Sequence, residues 1–482
     1  MITFIICVLV LVLGYRFYAK YLEKVMEIDP NRQTPAYAMR DNVDYVPMPW
    51  WKVLLVQFLN IAGLGPIYGA IAGAMWGPAA FVWIVLGTVF GGAVHDFFSG
   101  MLSVRHEGKS ITEIIGIYLG NSTKQVMRVF TVILLVLVGV VFISGPASIL
   151  ASLTPENLDF QFWIWCVFIY YILATLLPID KIIGSIYPVF GFALLFMAVS
   201  LITMLIIKGY SMPELTFNNW QNFHTKPDKF PIFPMLFISI ACGAISGFHA
   251  TQSPLMARCI ENESEGKRVF YGAMVIEGVV ALVWAAISMS FFGGINELNN
   301  VMIAHQGNAA WVVNEVSNSL LGRFGAVLAI LGVVAAPITS GDTAFRSARL
   351  TVADLLHYNQ KPIKNRLLIT VPLFVIGFIL TRIDFGVIWR YFAWANQTLA
   401  AVVLWTITIY LVQKGKNYWI TLLPALFMTS VVTTYIFLAP EGFSLGTTIS
   451  YFLGFAMTAI VLILFIVYFV KNKQSFSGLS NK

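Results

Sequence analysis

The sequence predicts an all-α, multi-pass membrane protein, and three observations carry that prediction. Apolar residues fill 58% of the 482 positions and charged residues only 11%, where a soluble chain carries roughly 25% charge. Apolar runs of about 17–27 residues, each long enough to cross a hydrocarbon core, recur about thirteen times. Basic residues then alternate between successive loops, as insertion with the positive loops inside requires.

The runs lie near 2–19, 50–73, 78–104, 126–151, 160–177, 183–208, 232–257, 268–293, 322–345, 366–382, 385–412, 418–438 and 446–470. The first has no basic flank and no small-residue cleavage site, so it reads as a retained helix rather than a signal peptide. The mixed stretch 294–321 reads as an extracellular lid helix, and Asp180–Lys181 as a loop pair. Of the 30 Lys and Arg residues, 24 fall in the odd-numbered loops and the C-terminal tail. The other six are Lys208, Lys226, Lys229, Arg323, Arg382 and Arg390. This split places the N-terminus outside and the C-terminus in the cytoplasm of a cell that keeps the chain in its cytoplasmic membrane. The net charge of +7 is spread over many loops. It therefore suits anionic headgroups, and nucleic acid is not implied. Cys7, Cys166, Cys242 and Cys259 show no paired spacing and read as small buried hydrophobes, with neither a disulfide frame nor a metal site.

Two of the runs break in the middle. In the second, Gly63, Gly65 and Pro66 stand where an unbroken helix would be most stable. In the seventh, Gly243 and Gly247 flank Ser246. Freed backbone groups inside a bilayer need partners, so such breaks belong within the protein or beside a wet cavity. The two breaks lie five spans apart, and an odd separation makes them run in opposite directions. That is the demand of an inverted five-plus-five repeat of the LeuT type, with one extra helix in front and two behind. The division follows: 1–49, an N-terminal helix and cytoplasmic linker; 50–208, the first repeat; 209–412, the second; 413–482, two further helices and a cytoplasmic tail.

The candidate substrate site takes amides, backbone groups and half-helix N-termini from both breaks: Asn60, Gly63, Leu64, Gly65, Gly243, Ser246, Gly247, Phe248 and His249. A helix N-terminus attracts a carboxylate, and unwound carbonyls suit a cation. His249 adds an imidazole that could bind a carboxylate or carry a proton. The competing reading of one break alone is a kink with small residues for close packing; two in register favour a site. The candidate ion-coupling set is Ala62, His95, Asp96, Thr339, Ser340, Asp342 and Thr343. His95 and Asp96 are ionisable residues inside a span, which default to functional roles. As neighbours on a helix they point about 100° apart and need not pair. Thr339 and Ser340, opposite carbonyls near Ala62, would offer hard oxygen ligands to Na⁺. Asp342 supplies a charge or a proton acceptor, or simply pairs with Arg346 one turn on. Glu277 and Asn396-Gln397-Thr398 read as helix–helix hydrogen-bonding groups.

The longest of these strings resemble a known family. Gly63-Leu-Gly65-Pro66, Gly92-Ala-Val-His95-Asp96-Phe97, Ser103-Val-Arg105-His106-Glu107-Gly108-Lys109-Ser110, Cys242-Gly243-Ala-Ile-Ser246-Gly247-Phe248-His249, Pro337-Ile-Thr339-Ser340-Gly341-Asp342-Thr343-Ala-Phe345-Arg346 and Trp394-Ala-Asn396-Gln397-Thr398 are similar to the carbon starvation protein A family. The resemblance runs from about 50 to 410. It implies a LeuT-like fold and uptake of peptides, or proton-coupled uptake of pyruvate, across the inner membrane when preferred carbon runs out. The chain looks shorter than the largest members, lacking their long C-terminal additions.

Together these features predict a symporter that imports a short peptide or pyruvate by alternating access, with H⁺ or Na⁺ as coupling ion and no other cofactor. A channel or a nutrient sensor of the same fold is the alternative. An enzyme is disfavoured, because GxSxG, HExxH and paired catalytic aspartates are all missing from the sequence.

Overall fold

A computed structural model describes residues 1–41, 44–176, 179–217, 220–360 and 362–477. Side chains at 175–187 and 472–477 are outside that description, so the expected Asp180–Lys181 pair lies outside the described residues; the backbone there is helical. Apart from one bridge between Met48 and Ile260, the regular structure among the described residues is helix.

In chain order the helices are α1 (Ile2–Met26), α2 (Trp50–Ile61), α3 (Gly65–Trp76), α4 (Ala79–Arg105), α5 (Ile111–Leu119), α6 (Asn121–Leu153), α7 (Phe160–Leu176), α8 (Ile179–Ile207), α9 (Gly247–Ala257) and α10 (Glu263–Phe291). After them come α11 (Ile295–Ala304), α12 (Ala309–Leu355), α13 (Ile363–Leu380), α14 (Phe385–Gln413), α15 (Trp419–Leu438) and α16 (Thr447–Ser477). Among the described residues ten helices are long and apolar enough to cross a membrane, and eleven when α2 and α3 count as one bent span. The shorter apolar stretch Phe160–Ala174 falls just below that length.

Two expected boundaries move. The first helix continues past residue 19 to Met26, because its amphipathic last turns pack Ala19, Leu22 and Met26 inward. The stretch 294–321 divides into α11 and the start of α12, and Gly322, at φ 58°, breaks α12 where a span was expected to begin. A positive φ is easily adopted by a residue without Cβ.

The first break is real. Between α2 and α3 the axis turns by 55°, and Pro66 opens the first turn of α3. The second is wider. The short turns Ile232–Leu236 and Phe237–Ser239 end at Ile240, and helix resumes only at Gly247. The two broken segments lie side by side and run in opposite directions. At one end the Met48 N–H donates to the Cys259 carbonyl at 3.0 Å. At the other, Trp76 Nε1 donates to the Phe230 carbonyl at 2.9 Å. Midway, a Cβ on Gly65 would stand 2.2 Å from Cys242 Cβ. Only a glycine admits so close a crossing.

One end of the bundle is tied by charge. The Glu263 side chain is fully buried and accepts from Arg32 Nη1 at 2.9 Å, from Arg105 Nε and Nη2 at 3.1 Å each, and from the Asp29 N–H at 3.1 Å. Arg105 also donates to the Glu27 carbonyl, and Lys416 pairs with the Glu27 carboxylate. The linker after α1, the end of α4, the start of α10 and the end of α14 therefore meet there. At the opposite end, α11 and the 209–231 loop cover a cavity of about 300 Å³.

Candidate functional site

The residues expected to bind substrate surround the crossing of the two breaks, and all are buried. Asn60 lies in the last turn of α2 with its side-chain carbonyl oxygen unpartnered. A Cβ on Gly63 would meet the Phe142 ring at 2.5 Å. That ring packs edge-on against Phe248, centroids 6.0 Å apart. Leu64 fills the space beside Gly145. Gly243 sits against Ala281, with Pro66 beyond.

The N-terminus of α9 is occupied from within the protein. Asn396 Oδ1 accepts from the Phe248 N–H at 2.7 Å and from the Ser246 hydroxyl at 3.0 Å. Its amide donates to Cys242 Sγ at 3.4 Å. This is the work of an N-cap, delivered from a distant helix because Ser246 itself caps nothing. A Cβ at Gly247 would lie 2.5 Å from the Asn396 carbonyl oxygen and the Ala400 nitrogen, so α14 lies directly on that helix start. Asn396 thus makes the cross-helix bond expected of it.

His249 does not line an open pocket. Its Nδ1 lies 2.8 Å from Asp96 Oδ2, and its Nε2 lies 3.4 Å from Glu277 Oε2. His95 Nδ1 lies 2.7 Å from Asp96 Oδ1. Neighbours on α4 therefore do pair: the short aspartate arm folds back to its predecessor's ring. All four side chains are completely buried. The chain His95–Asp96–His249–Glu277 thus joins α4, α9 and α10. Among the described residues no three His, Cys, Asp or Glu side chains are disposed to hold a metal ion.

The remaining coupling candidates form a second cluster on α12. Ser340 Oγ donates to the Leu59 carbonyl at 3.0 Å, and lies 3.1 Å from that of Ala336. It is the direct link from α12 to the end of α2, three residues before Ala62. Thr339 donates to the Ala336 carbonyl at 2.7 Å and Thr343 to that of Ser340 at 2.8 Å, both within their own helix. Asp342 pairs with Arg346 at 3.5 Å.

The partner of Glu277 and the lining of one cavity escaped the sequence reading. Glu277 stood out as an acid in an apolar span, but nothing local joins it to His249, 28 positions earlier. The lining of the cavity comes from helices and loops far apart in the chain. Tyr68 and Ser239 form its floor, within a turn of Gly65 and Cys242, and Arg390, Glu441 and Tyr435 form its wall. Arg390 Nε is 3.2 Å from Glu441, and Tyr435 donates to the same carboxylate. His224 packs between Trp76 and Phe230, with centroids 4.8 and 4.5 Å away. Burial, and then the Lys226 charge, lower its pKa to about 4.

These features define a multi-pass, all-helical membrane protein with a broken pair of spans at its centre. The crystal structure of the Eremococcus coleocola manganese transporter superposes on it with a TM-score of 0.51 at 13% identity, covering 90% of this chain and 99% of that one. At that identity the likeness is one of fold. The chain belongs to the family of carbon starvation protein CstA, whose description matches residues 1–159, 149–386 and 310–435. A membrane protein of Haemophilus influenzae is 44% identical over 63% of this chain and 95% of its own length. The peptide transporter CstA of Campylobacter jejuni is 27% identical over 89% of this chain and 78% of its own. The pyruvate/proton symporter BtsT of Escherichia coli is 28% identical over 57% of this chain and 47% of its own. The Campylobacter and Escherichia relatives are named as transporters, not as enzymes.

Proposed function

We propose that this chain is a secondary active transporter of the cytoplasmic membrane. It imports a small carboxylated nutrient, a short peptide or pyruvate, by alternating access. The observation that carries the reading is the antiparallel crossing of two broken spans at Gly65 and Cys242. A half-helix start and loosened backbone at mid-depth are the means by which transporters hold a charged solute in a bilayer. The reading includes thirteen spans, a core of ten in two inverted halves (50–208 and 209–412), an outside N-terminus and a cytoplasmic C-terminus. The cavity above Tyr68 is then the external vestibule, and the Glu263 cluster is the closed cytoplasmic end. A carboxylate would be met by the N-terminus of α9 once Asn396 withdraws, with Asn60 and Ser246 as hydrogen-bonding partners. H⁺ or Na⁺ drives the cycle. The relatives named for peptide and for pyruvate/proton transport support the substrate class.

The experiment is uptake of labelled dialanine and labelled pyruvate into proteoliposomes under an imposed proton or sodium gradient. Gradient-driven accumulation of one of them above empty liposomes is expected. Uptake that ignores both gradients, or no uptake of either solute, overturns the reading.

A further inference from the structure

Glu277 is the acid that the transport reading leaves without a task. A carboxyl with a purely structural role in a bilayer would have its oxygens engaged by donors. Here both are fully buried, and neither has a hydrogen-bond partner. His249 Nε2 lies 3.4 Å from Glu277 Oε2. His249 is held by its other nitrogen against Asp96, and Asp96 is held on its far side by His95.

The geometry points to Glu277 as the group that carries a proton through the membrane, exchanging it with His249. This rests on the symport reading and specifies its ion. Both Asp96 oxygens accept, one from each histidine, so the Nδ1–H of His249 is fixed on Asp96. That leaves Nε2 of the neutral ring as an acceptor aimed at Glu277. An uncompensated carboxylate at this depth is expensive, so in this conformation Glu277 holds the proton. In the transfer step, the Glu277 O–H bond breaks and a bond from that hydrogen to Nε2 forms. The product is an imidazolium between two carboxylates, with no change in total charge. The gap of 3.4 Å must close by about 0.5 Å to reach ordinary hydrogen-bond length. A shift of α9 against α10 of that size therefore gates the step. The second fracture, whose helix restarts two residues before His249, is the joint that permits it. The titratable groups that the described residues place around Glu277 are His249 on α9, Asp96 on α4 with His95 behind it, and the Cys242 thiol in the preceding break.

The test compares wild type and Glu277→Gln in proteoliposomes holding a pH-sensitive dye, with labelled dialanine or pyruvate as probe. Two assays are run: substrate-driven proton entry, and exchange of labelled for unlabelled substrate with no gradient. For Glu277→Gln, proton entry per substrate is expected to fall at least tenfold while exchange is still measured. Glu277→Asp should restore part of the proton movement with a displaced pH profile. Unchanged proton entry in Glu277→Gln overturns the inference alone. So does loss of exchange together with proton entry, since Glu277 would then be needed to hold substrate or fold. Wild-type uptake driven only by sodium also overturns it but leaves the transporter reading intact. A wild type that moves neither solute defeats the transporter reading itself.

Discussion

At the crossing of the two fractured spans, a single methyl group decides whether the helices can meet. A Cβ added at Gly65 would stand 2.2 Å from Cys242 Cβ and 2.4 Å from its Sγ. Carbon atoms pack at about 3.5–4.0 Å, so Gly65→Ala must push the segments apart by more than an ångström. The sulfur could swing away; the Cβ is fixed to the backbone and cannot. Overpacking of this kind destabilises by about 1–3 kcal/mol. Cys242→Gly removes the obstructing atoms but leaves a void and a looser chain, a loss of about 1–2 kcal/mol. In the double variant the new methyl fills the space vacated. Its loss should match Cys242→Gly alone, giving a favourable coupling of about 1–3 kcal/mol where unconnected sites would add to within about 0.5 kcal/mol. Thermal unfolding of the four purified proteins measures the coupling, and solute uptake should follow the same order. If the two losses simply add, the segments do not touch at this point, and the shared site has no structural basis.

Two further outcomes follow from the same geometry. Asn396→Ala leaves the Phe248 N–H, held at 2.7 Å, buried without a partner; a loss of about 1–3 kcal/mol is expected, read as a lower unfolding temperature, while Asn396→Asp, which keeps the acceptor, should recover part of it. His224 keeps its ring neutral down to about pH 4 because of burial and then Lys226, whereas an unfolded histidine takes up its proton near pH 6.5. The folded pKa is thus depressed, so stability should be full above about pH 6.5 and decline as pH falls toward 4; hydrogen exchange in the 209–231 loop should rise across that window, and a His224→Phe protein that shows the same rise removes this ring as the cause.

What the sequence disclosed and what it concealed divide along physical lines. Breaks are local: Gly63, Gly65 and Pro66 weaken a helix wherever it packs, and the 55° bend falls among them. Ser340 could be placed near the end of α2 because helix order alone brought those spans together; it reaches Leu59 rather than Ala62. Partnerships between single side chains were hidden. The angle between consecutive helical residues argued that His95 and Asp96 need not pair, but the angle says nothing about how a short side chain folds back. The N-terminus of α9 read as open to a ligand, yet its Phe248 N–H is taken by a residue 148 positions away, a link that no local pattern encodes. His249, expected beside the substrate, is held instead against Asp96, with Glu277 beyond, by the same kind of long-range pairing.

The Glu263 knot has a mechanical consequence. Four donor groups from two stretches of chain, the linker at Asp29 and Arg32 and the end of α4 at Arg105, converge on one buried carboxylate, so each donor lost leaves that charge less well matched. Parting those stretches would leave the carboxylate short of donors until water replaced them.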